Sequence, residues 1–121
     1  MKKYSESHEW VEVEGDIANV GISSYAVEQL GDITFMELPE VDSEFSKGDS
    51  VAFVESVKAA SDIYTPISGS ITEVNELLID APETMNEDAE GTFIFKLKVS
   101  DMGEIDALMS QEQYDEYKET L

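Results

Sequence analysis

The fold is decided by the stretch Val51-Ala-Phe-Val-Glu-Ser-Val-Lys58-Ala-Ala-Ser-Asp-Ile-Tyr64. Apolar residues alternate before the lysine and again after it, with the period of two that is typical of half-buried strands. The residues predicted to face the core are Val51, Phe53 and Val57 before the lysine, and Ile63, Thr65 and Ile67 after it. Because the pattern breaks at Lys58, the stretch predicts a β-hairpin with this lysine at its tip.

Lys58 is flanked by small or short side chains. Ser56, Ala59 and Ala60 leave the predicted tip free of bulk. A lysine there holds its ammonium out into solvent on a four-carbon stem, where a modifying enzyme can reach it from every side. Most lysines are plain solvated surface groups, so the hairpin tip by itself assigns no function.

The sequence around the lysine resembles a known modification site. The run Glu55-Ser-Val-Lys58-Ala-Ala-Ser-Asp62, followed by Tyr64-Thr-Pro-Ile-Ser-Gly69, is similar nearly residue for residue to the lipoyl-attachment segment of glycine cleavage system H proteins. The resemblance implies that lipoate is the cofactor and is joined to Lys58 by an amide. It also implies that Glu55 and Gly69, three residues before and eleven residues after the lysine, take part in recognition for lipoylation.

Two further observations support this resemblance. Biotin carriers share the architecture but place methionine on both sides of the lysine, whereas this chain has Val57 and Ala59. The segment Ser7-His8-Glu9-Trp10 matches the start of the H-protein family, far outside the lysine motif. Taken from the residues alone, His8 and Trp10 are interpreted as a strand residue and a core residue rather than as a site.

The resemblance implies a carrier rather than an enzyme. In the family's cycle, the oxidised lipoyl group accepts an aminomethyl group from glycine at the P protein, the pyridoxal-phosphate-dependent glycine decarboxylase. The T protein, a folate-dependent aminomethyltransferase, then releases ammonia, and the L protein, the flavin-dependent dihydrolipoyl dehydrogenase, reoxidises the dithiol. A lipoate ligase or a lipoyl or octanoyl transferase is the implied partner that attaches the cofactor.

The resemblance also implies a cleft into which the loaded arm folds back. It lies beside Ser7, Glu9 and Asp62. Carboxylate and hydroxyl oxygens are the acceptors that a protonated amine prefers, so the residue types agree with this role. Exposed acids are common in this chain, and each residue taken singly is also explained as a solvated polar group.

The composition excludes several other functions. Twenty-eight acidic residues face seven lysines in 121 residues, for a formal net charge of -21, so nucleic acid would be repelled. No cysteine is present and His8 is the only histidine, which predicts no metal site. A serine hydrolase would need His8 as its base, so little room is left for a self-contained enzyme. No apolar run approaches the ~20 residues of a membrane span, and no signal-peptide core is visible. We expect a monomeric cytoplasmic protein, or a mitochondrial-matrix protein in a eukaryote, although this chain shows no transit peptide.

The remaining pattern predicts a mainly β fold with helices. Short alternating runs at 8–13, 16–22, 32–38, 71–74 and 93–99 read as strands, and the last of these is the clearest and is predicted to be central. Ser23 and Ser24 are predicted to cap a helix that Gly31 ends with a positive φ. Capping-box spacing at Asp101 and Ser110 predicts two further helices within residues 101–121.

These elements and the resemblance together predict the barrel-sandwich hybrid fold of lipoyl and biotinyl carriers. We expect a single lipoyl-carrier domain over residues 1–121, with one inserted helix and C-terminal helices. Residues 75–90 lack periodicity, and 81–86 are predicted to form a surface loop with at most one helical turn.

One segment departs from the family pattern. Before its last strand the family usually carries a Pro-Tyr pair and a tryptophan, whereas this chain reads Asn86-Glu-Asp-Ala-Glu-Gly-Thr-Phe93. Two alternatives therefore stay open. One is a lipoyl carrier that relays lipoate to 2-oxoacid dehydrogenases or serves a divergent pathway, and the other is an unmodified acidic interaction module.

Overall fold

The computed structural model describes residues 2–121, and strands predominate in them. The strands are β1 (Lys2–Tyr4), β2 (Glu9–Glu14), β3 (Ile17–Ile22), β4 (Ile33–Glu37), β5 (Glu44–Phe45), β6 (Ser50–Ser56), β7 (Ala60–Tyr64), β8 (Gly69–Val74) and β9 (Phe95–Val99). The helices are α1 (Ser24–Leu30), α2 (Leu77–Asp80), α3 (Thr84–Glu87), α4 (Gly103–Asp106) and α5 (Gln111–Lys118). The described part of the chain has no helix with both the length and the apolar character needed to cross a membrane.

The strands form two antiparallel sheets around a shared core. The larger sheet has the order β1-β2-β3-β9-β8-β5, and the smaller has the order β4-β6-β7. Strand β9 lies between β3 and β8, which confirms that it is central, and its Phe95 and Leu97 are fully buried. Val20 of the larger sheet and Val54 and Ile63 of the smaller sheet belong to one hydrophobic cluster. This arrangement is the predicted barrel-sandwich hybrid.

The β6–β7 hairpin is confirmed, but one of its predicted faces is wrong. Ile63 is buried as expected, yet Val57 is 66% exposed. The pairing register shifts between Ser50 and Ala52, so the alternation changes phase and the buried residues of β6 include Ala52 and Val54. A register shift of one residue moves a side chain to the opposite face of a strand.

The predicted helix after β3 is present and its ends are as expected. The Ser23 side chain accepts a hydrogen bond from the Ala26 amide and caps α1. Gly31 ends the helix with a φ of 81° and a ψ of -151°, a conformation that glycine adopts at low cost because it lacks a Cβ atom. Helix α5 has the predicted capping box between Ser110 and Gln113. The predicted box at Asp101 is wrong, because that side chain accepts from Gly103 instead and α4 begins after Met102.

The helical turn allowed for residues 81–86 is present as α3, but the segment 75–90 is anchored to the core and is not only a surface loop. This segment forms α2 and α3, and each short helix buries one apolar side chain completely, Leu78 in α2 and Met85 in α3. A four-residue helix with a single buried residue has no repeat from which periodicity can be detected. The segment is therefore anchored to the core, with α2 beside β4 and α3 beside α1.

The N-terminal segment corrects a further expectation. Trp10 lies in β2 and is buried, as predicted, but His8 precedes the strand with a φ of 74°. Trp10 packs with Tyr4 and Tyr114 in a second apolar cluster that joins the sheet to α5. The rings of Tyr4 and Tyr114 are stacked with centroids 4.4 Å apart. The C-terminal helix thereby covers the edge of the sheet next to the segment 5–9.

Candidate functional site

Lys58 lies in the tight turn that joins β6 to β7. The Ser56 amide donates to the Ala59 carbonyl at 2.8 Å and closes the turn. The Ser56 hydroxyl oxygen accepts from the Lys58 and Ala59 amides at 3.2 and 3.0 Å. The turn is thus fixed by one short serine and its own backbone, which leaves the lysine side chain at the surface.

The Lys58 ammonium is available for chemistry. The residue is exposed, and within residues 2–121 the salt bridges join Lys2 to Glu90 and Lys118 to Asp115, so Lys58 pairs with no carboxylate there. Glu55 is exposed on β6 and lies opposite Phe35 and Ala60 in the pairing register. An acidic side chain and a free lysine are therefore presented together on the hairpin.

Gly69 is buried, in contrast to Lys58 and Glu55 on the hairpin. It is not one of the glycines with a positive φ, which in the described residues are Gly15, Gly31 and Gly48. Gly69 instead sits in β8, where an added Cβ would lie 2.3 Å from the Lys98 carbonyl oxygen and 2.6 Å from Leu97 Cδ1. The absence of a side chain here allows two strands to approach closely.

A cavity of about 320 Å³ lies between α1, β7 and the segment 7–9, and we call it the amine cavity. Ser7, Glu9 and Asp62 all line it, so the structure brings the three predicted cleft residues together. Its apolar wall is formed by Ile22, Ala26, Leu30, Val54 and Ile63. A cavity with a hydrocarbon wall and acidic oxygens suits a long apolar chain that ends in a cationic group.

Glu9 is the most unusual group in the amine cavity. The side chain is only 2% exposed, and its Oε1 accepts hydrogen bonds from Ser5 Oγ at 2.7 Å and from Ser7 Oγ at 2.5 Å. Burial raises the pKa of Glu9, and the hydrogen bonds from Ser7 and Ser5 oppose that shift only in part. A buried carboxylate with a raised pKa gains strongly from a nearby cation.

His8 also lines the amine cavity, a position that its interpretation as a strand residue missed. Its Nδ1 lies 2.7 Å from the Tyr114 hydroxyl, which in turn lies 2.7 Å from Ser23 Oγ. Burial and then the charge of Lys118 lower the pKa of His8. The imidazole is therefore neutral at neutral pH and adds no positive charge beside Glu9.

Other lining residues could not be identified from the sequence. Tyr25, Leu30 and Ser61 line the amine cavity from α1 and β7. Nothing in the local sequence pattern shows that the end of a helix and an edge strand meet a segment 20 to 50 residues away. The only sequence signal nearby was Gly31, whose predicted positive φ marks the helix end beside Leu30.

A second cavity of about 260 Å³ lies on the other side of Glu9. Its lining includes Ser5, Lys47, Thr65 and Met109, and it shares Ser7 and Glu9 with the amine cavity. It contains neither Asp62 nor a residue of α1. The amine cavity is therefore the better match to the predicted cleft.

The segment 86–93, which departs from the family pattern, contains Glu90, and this side chain forms hydrogen bonds with two other elements. Glu90 Oε2 accepts from the Ser24 amide at 2.7 Å, and Glu90 Oε1 accepts from the Tyr4 hydroxyl at 2.6 Å. Burial alone would raise the pKa of Glu90, but Tyr4, Ser24 and the ammonium of Lys2 lower it overall. The carboxylate joins the start of α1 to β1 near neutral pH.

Comparison with protein families gives one match over nearly the whole chain. The family described as glycine cleavage H-protein matches residues 2–121. This range includes the hairpin, the amine cavity and the C-terminal helices.

Individual relatives agree with the family match. The glycine cleavage system H protein of Thermotoga maritima is 51% identical over 118 residues, which cover 97% of this chain and 95% of that protein. The glycine cleavage system H protein of Alkaliphilus oremlandii is 51% identical over 116 residues, covering 96% and 91% of the two chains. The crystal structure of a glycine cleavage system H protein from Mycobacterium marinum superposes with a TM-score of 0.88 at 35% identity, over 99% of this chain and 97% of that one.

Proposed function

The chain belongs to the glycine cleavage H-protein family, whose members are the lipoyl carriers of the glycine cleavage system, and we propose that Lys58 is the residue that bears its lipoate. The observation that carries the proposal is the unpaired Lys58 at an exposed hairpin tip beside a cavity lined by Glu9 and Asp62. Residues 1–121 then act as one carrier domain. The partners are the P, T and L proteins and the lipoate ligase or lipoyl or octanoyl transferase that modifies the lysine.

The residues present fit a lipoyl arm. The exposed lysine provides an amine for the amide bond, and the apolar wall of the amine cavity matches the hydrocarbon part of the arm. When bound, lipoate supplies a disulfide that accepts the aminomethyl group of glycine and is thereby reduced. The residues of this chain bind and orient the arm and exclude water from the group that it carries.

Ser7, Glu9 and Asp62 bind the amine of the loaded arm. Ionised Glu9 and Asp62 accept hydrogen bonds from the protonated amine, and these charge-assisted bonds are stronger than neutral ones. Burial makes the ionised form of Glu9 unfavourable when no cation is near. A bound ammonium group offsets that cost because it attracts the carboxylate. The apolar wall lowers water access to the loaded group. Release then waits for a partner that opens or replaces these contacts.

The modification itself is tested by mass. Intact-mass spectra of the protein from cells with a lipoylation pathway are expected to show the lipoyl increment, and peptide mapping is expected to place it on Lys58. Lys58→Arg keeps the charge and abolishes the increment, whereas the control Lys98→Arg, an exposed lysine of β9, retains it. A lipoyl group on another lysine, or none at all, contradicts the proposal.

The role of the amine cavity is tested separately. Glu9→Ala and Asp62→Ala are expected to keep lipoylation of Lys58 and to shorten the lifetime of the loaded carrier once the P protein is removed. Glu14→Ala, at the exposed end of the same strand as Glu9, removes an acid outside the cavity and serves as the control. Loss of the loaded group is followed by mass. Equal lifetimes in the parent and both cavity variants would mean that these carboxylates do not shelter the amine.

A further inference from the structure

The Lys58 side chain passes across Gly31, the residue that ends α1. A Cβ atom added to Gly31 would lie 2.8 Å from Lys58 Cε and 3.6 Å from Lys58 Nζ. The positive φ of Gly31 and its lack of a side chain both leave this space to the lysine stem. The stem therefore lies against the fold before its ammonium reaches solvent.

The backbone under the lysine stem is held by Asn86 of α3. Asn86 Nδ2 donates to the Gly31 carbonyl at 2.8 Å, and Asn86 Oδ1 accepts from the Ile33 amide at 2.9 Å. The two polar atoms of this exposed side chain therefore bond the first and the last residue of the segment 31–33. That segment lies 53 to 55 positions earlier in the sequence. A side-chain amide can make both bonds because it carries a donor and an acceptor on one planar group.

The same three residues are bonded to the hairpin tip. The Asp32 carbonyl accepts from the Val57 amide at 3.0 Å, one residue before the lysine. A continuous path of hydrogen bonds therefore runs from Asn86 through residues 31–33 to the tip. Gly31 also directly follows Leu30, which lines the amine cavity. The lysine stem thus lies against the residue that follows a lining residue of the cavity.

We infer that Asn86 is a positioning residue for the lysine arm. It fixes residues 31–33, which we call the seat, beneath the Lys58 stem. The seat directs the arm along the end of α1 toward the amine cavity. An arm that is already oriented loses less conformational freedom when its end enters the cavity. This inference rests on the proposed function for the identity of the arm, but the seat itself is a property of the unmodified chain.

The seat is tested first on the full-length unmodified protein by NMR. In Asn86→Ala, the Val57 amide is expected to exchange with solvent about tenfold faster, because two neutral hydrogen bonds that fix its acceptor are lost. The amides of Phe95 and Leu97 in the central strand should exchange as in the parent. A nuclear Overhauser contact between Lys58 side-chain protons and the Gly31 α-protons should be present in the parent and lost in the variant.

Asn86→Asp is the conservative variant. It retains an acceptor for the Ile33 amide and loses the donor to Gly31, so its Val57 exchange rate should lie between those of the parent and the alanine variant. An unchanged Val57 rate in Asn86→Ala overturns the inference. So does an equal acceleration at Val57, Phe95 and Leu97, because that result describes general destabilisation rather than release of the seat.

Gly31→Ala and Gly48→Ala form a matched pair on the lipoylated carrier. Both glycines have positive φ, 81° and 91°, so both variants carry comparable backbone strain, but a Cβ on Gly48 meets no atom within 4 Å. Only Gly31→Ala displaces the lysine stem, and it should shorten the lifetime of the loaded carrier about threefold or more beyond Gly48→Ala. Equal lifetimes in the two variants contradict the inference.

Failure of the function and failure of the inference give different results. If the parent carries no lipoate on Lys58, the proposed function is wrong, and the exchange and Overhauser measurements still decide whether the seat exists. If the parent is lipoylated but Asn86→Ala leaves the Val57 amide unchanged, the function stands and the seat is rejected.

Discussion

The central strands of the larger sheet and the hairpin tip of the smaller sheet differ in what holds their residues in place. In the larger sheet, Val20 of β3 and Phe95 and Leu97 of β9 are fully buried, and packing fixes them. In the smaller sheet, Phe35 is 46% exposed and the tip residue Val57 is 66% exposed. The tip depends instead on hydrogen bonds within the turn and to residues 31–33.

This difference suits a carrier. Interiors packed to the density of crystals transmit any change of volume as strain, so the larger sheet tolerates little alteration. A turn held by hydrogen bonds at the surface can accept a large covalent group without a change in the core. The lysine therefore belongs on the smaller sheet, and the larger sheet supplies the rigid support.

The largest expected effect is a difference in unfolding free energy between one substitution in each sheet. Gly69→Val in the larger sheet places side-chain atoms against the Lys98 backbone, 2.3 Å from the carbonyl oxygen at Cβ alone. Because a carbonyl in a central ladder cannot move away, the free energy of unfolding should fall by more than about 3 kcal/mol, or folding should fail. Ala60→Val, on an exposed position of the smaller sheet, should change it by less than about 0.5 kcal/mol. Urea denaturation measures both, and similar losses would contradict the contrast.

A second comparison lies within β6 and the turn that follows it. Val54→Ala removes two methyl groups from a residue that is 1% exposed and should lower the free energy of unfolding by about 2 kcal/mol. Val57→Ala removes the same atoms three residues later, where the side chain is 66% exposed, and should cost less than about 0.5 kcal/mol. Denaturation midpoints compare the two variants. Equal losses would mean that the tip is packed rather than only hydrogen-bonded.

A third prediction concerns the contact between α5 and the segment beside the amine cavity. Tyr114→Phe removes the hydroxyl that lies 2.7 Å from both His8 Nδ1 and Ser23 Oγ and should cost about 1–2 kcal/mol in unfolding free energy. Burial raises the pKa of Tyr114 to about 12, so the hydroxyl stays protonated over the range of the measurement. Tyr117→Phe, whose exposed hydroxyl bonds the Glu6 carbonyl at 3.3 Å, is the control and should be nearly neutral. Thermal unfolding that shows no difference between them would rule out a structural role for this network.

The smallest expected effect is a change in how the free energy of unfolding depends on pH. Because burial raises the pKa of Glu9 in the folded protein, the folded state holds its proton to higher pH than the unfolded chain does. Stability contributed by the protonated form is therefore present below the ordinary carboxyl pKa and is lost as the pH rises through the raised pKa. Glu9→Gln should remove this loss of stability with rising pH. Near pH 7 the variant should be more stable than the parent by at most about 1 kcal/mol. Glu14→Gln, at the exposed end of β2, is the control, and an identical slope in the parent and Glu9→Gln would refute the prediction.

The sequence predicted most of the strands and the inserted helix because these depend on neighbouring residues. Alternation over residues 93–99 was sufficient to place β9 at the centre, and Gly31 marked the end of α1 through its conformational freedom. The predictions that failed were those that needed a contact with a distant residue. Met85 falls in the segment 81–86 that is predicted as a surface loop, yet the core buries it. The sequence also does not show that the Lys98 backbone is what requires a glycine at position 69.

The sequence by itself determined that Lys58 stands at a hairpin tip among small residues and that its surroundings resemble an H-protein lipoylation site, because both are properties of a continuous run of residues. Only the tertiary structure decided that Glu9 is buried, that it shares a cavity with Asp62, and that Asn86 holds the backbone beneath the lysine. The last two of these features join residues more than 50 positions apart. The local pattern contains no information about such contacts, since they form only when the packing of two sheets and their helices brings distant segments together.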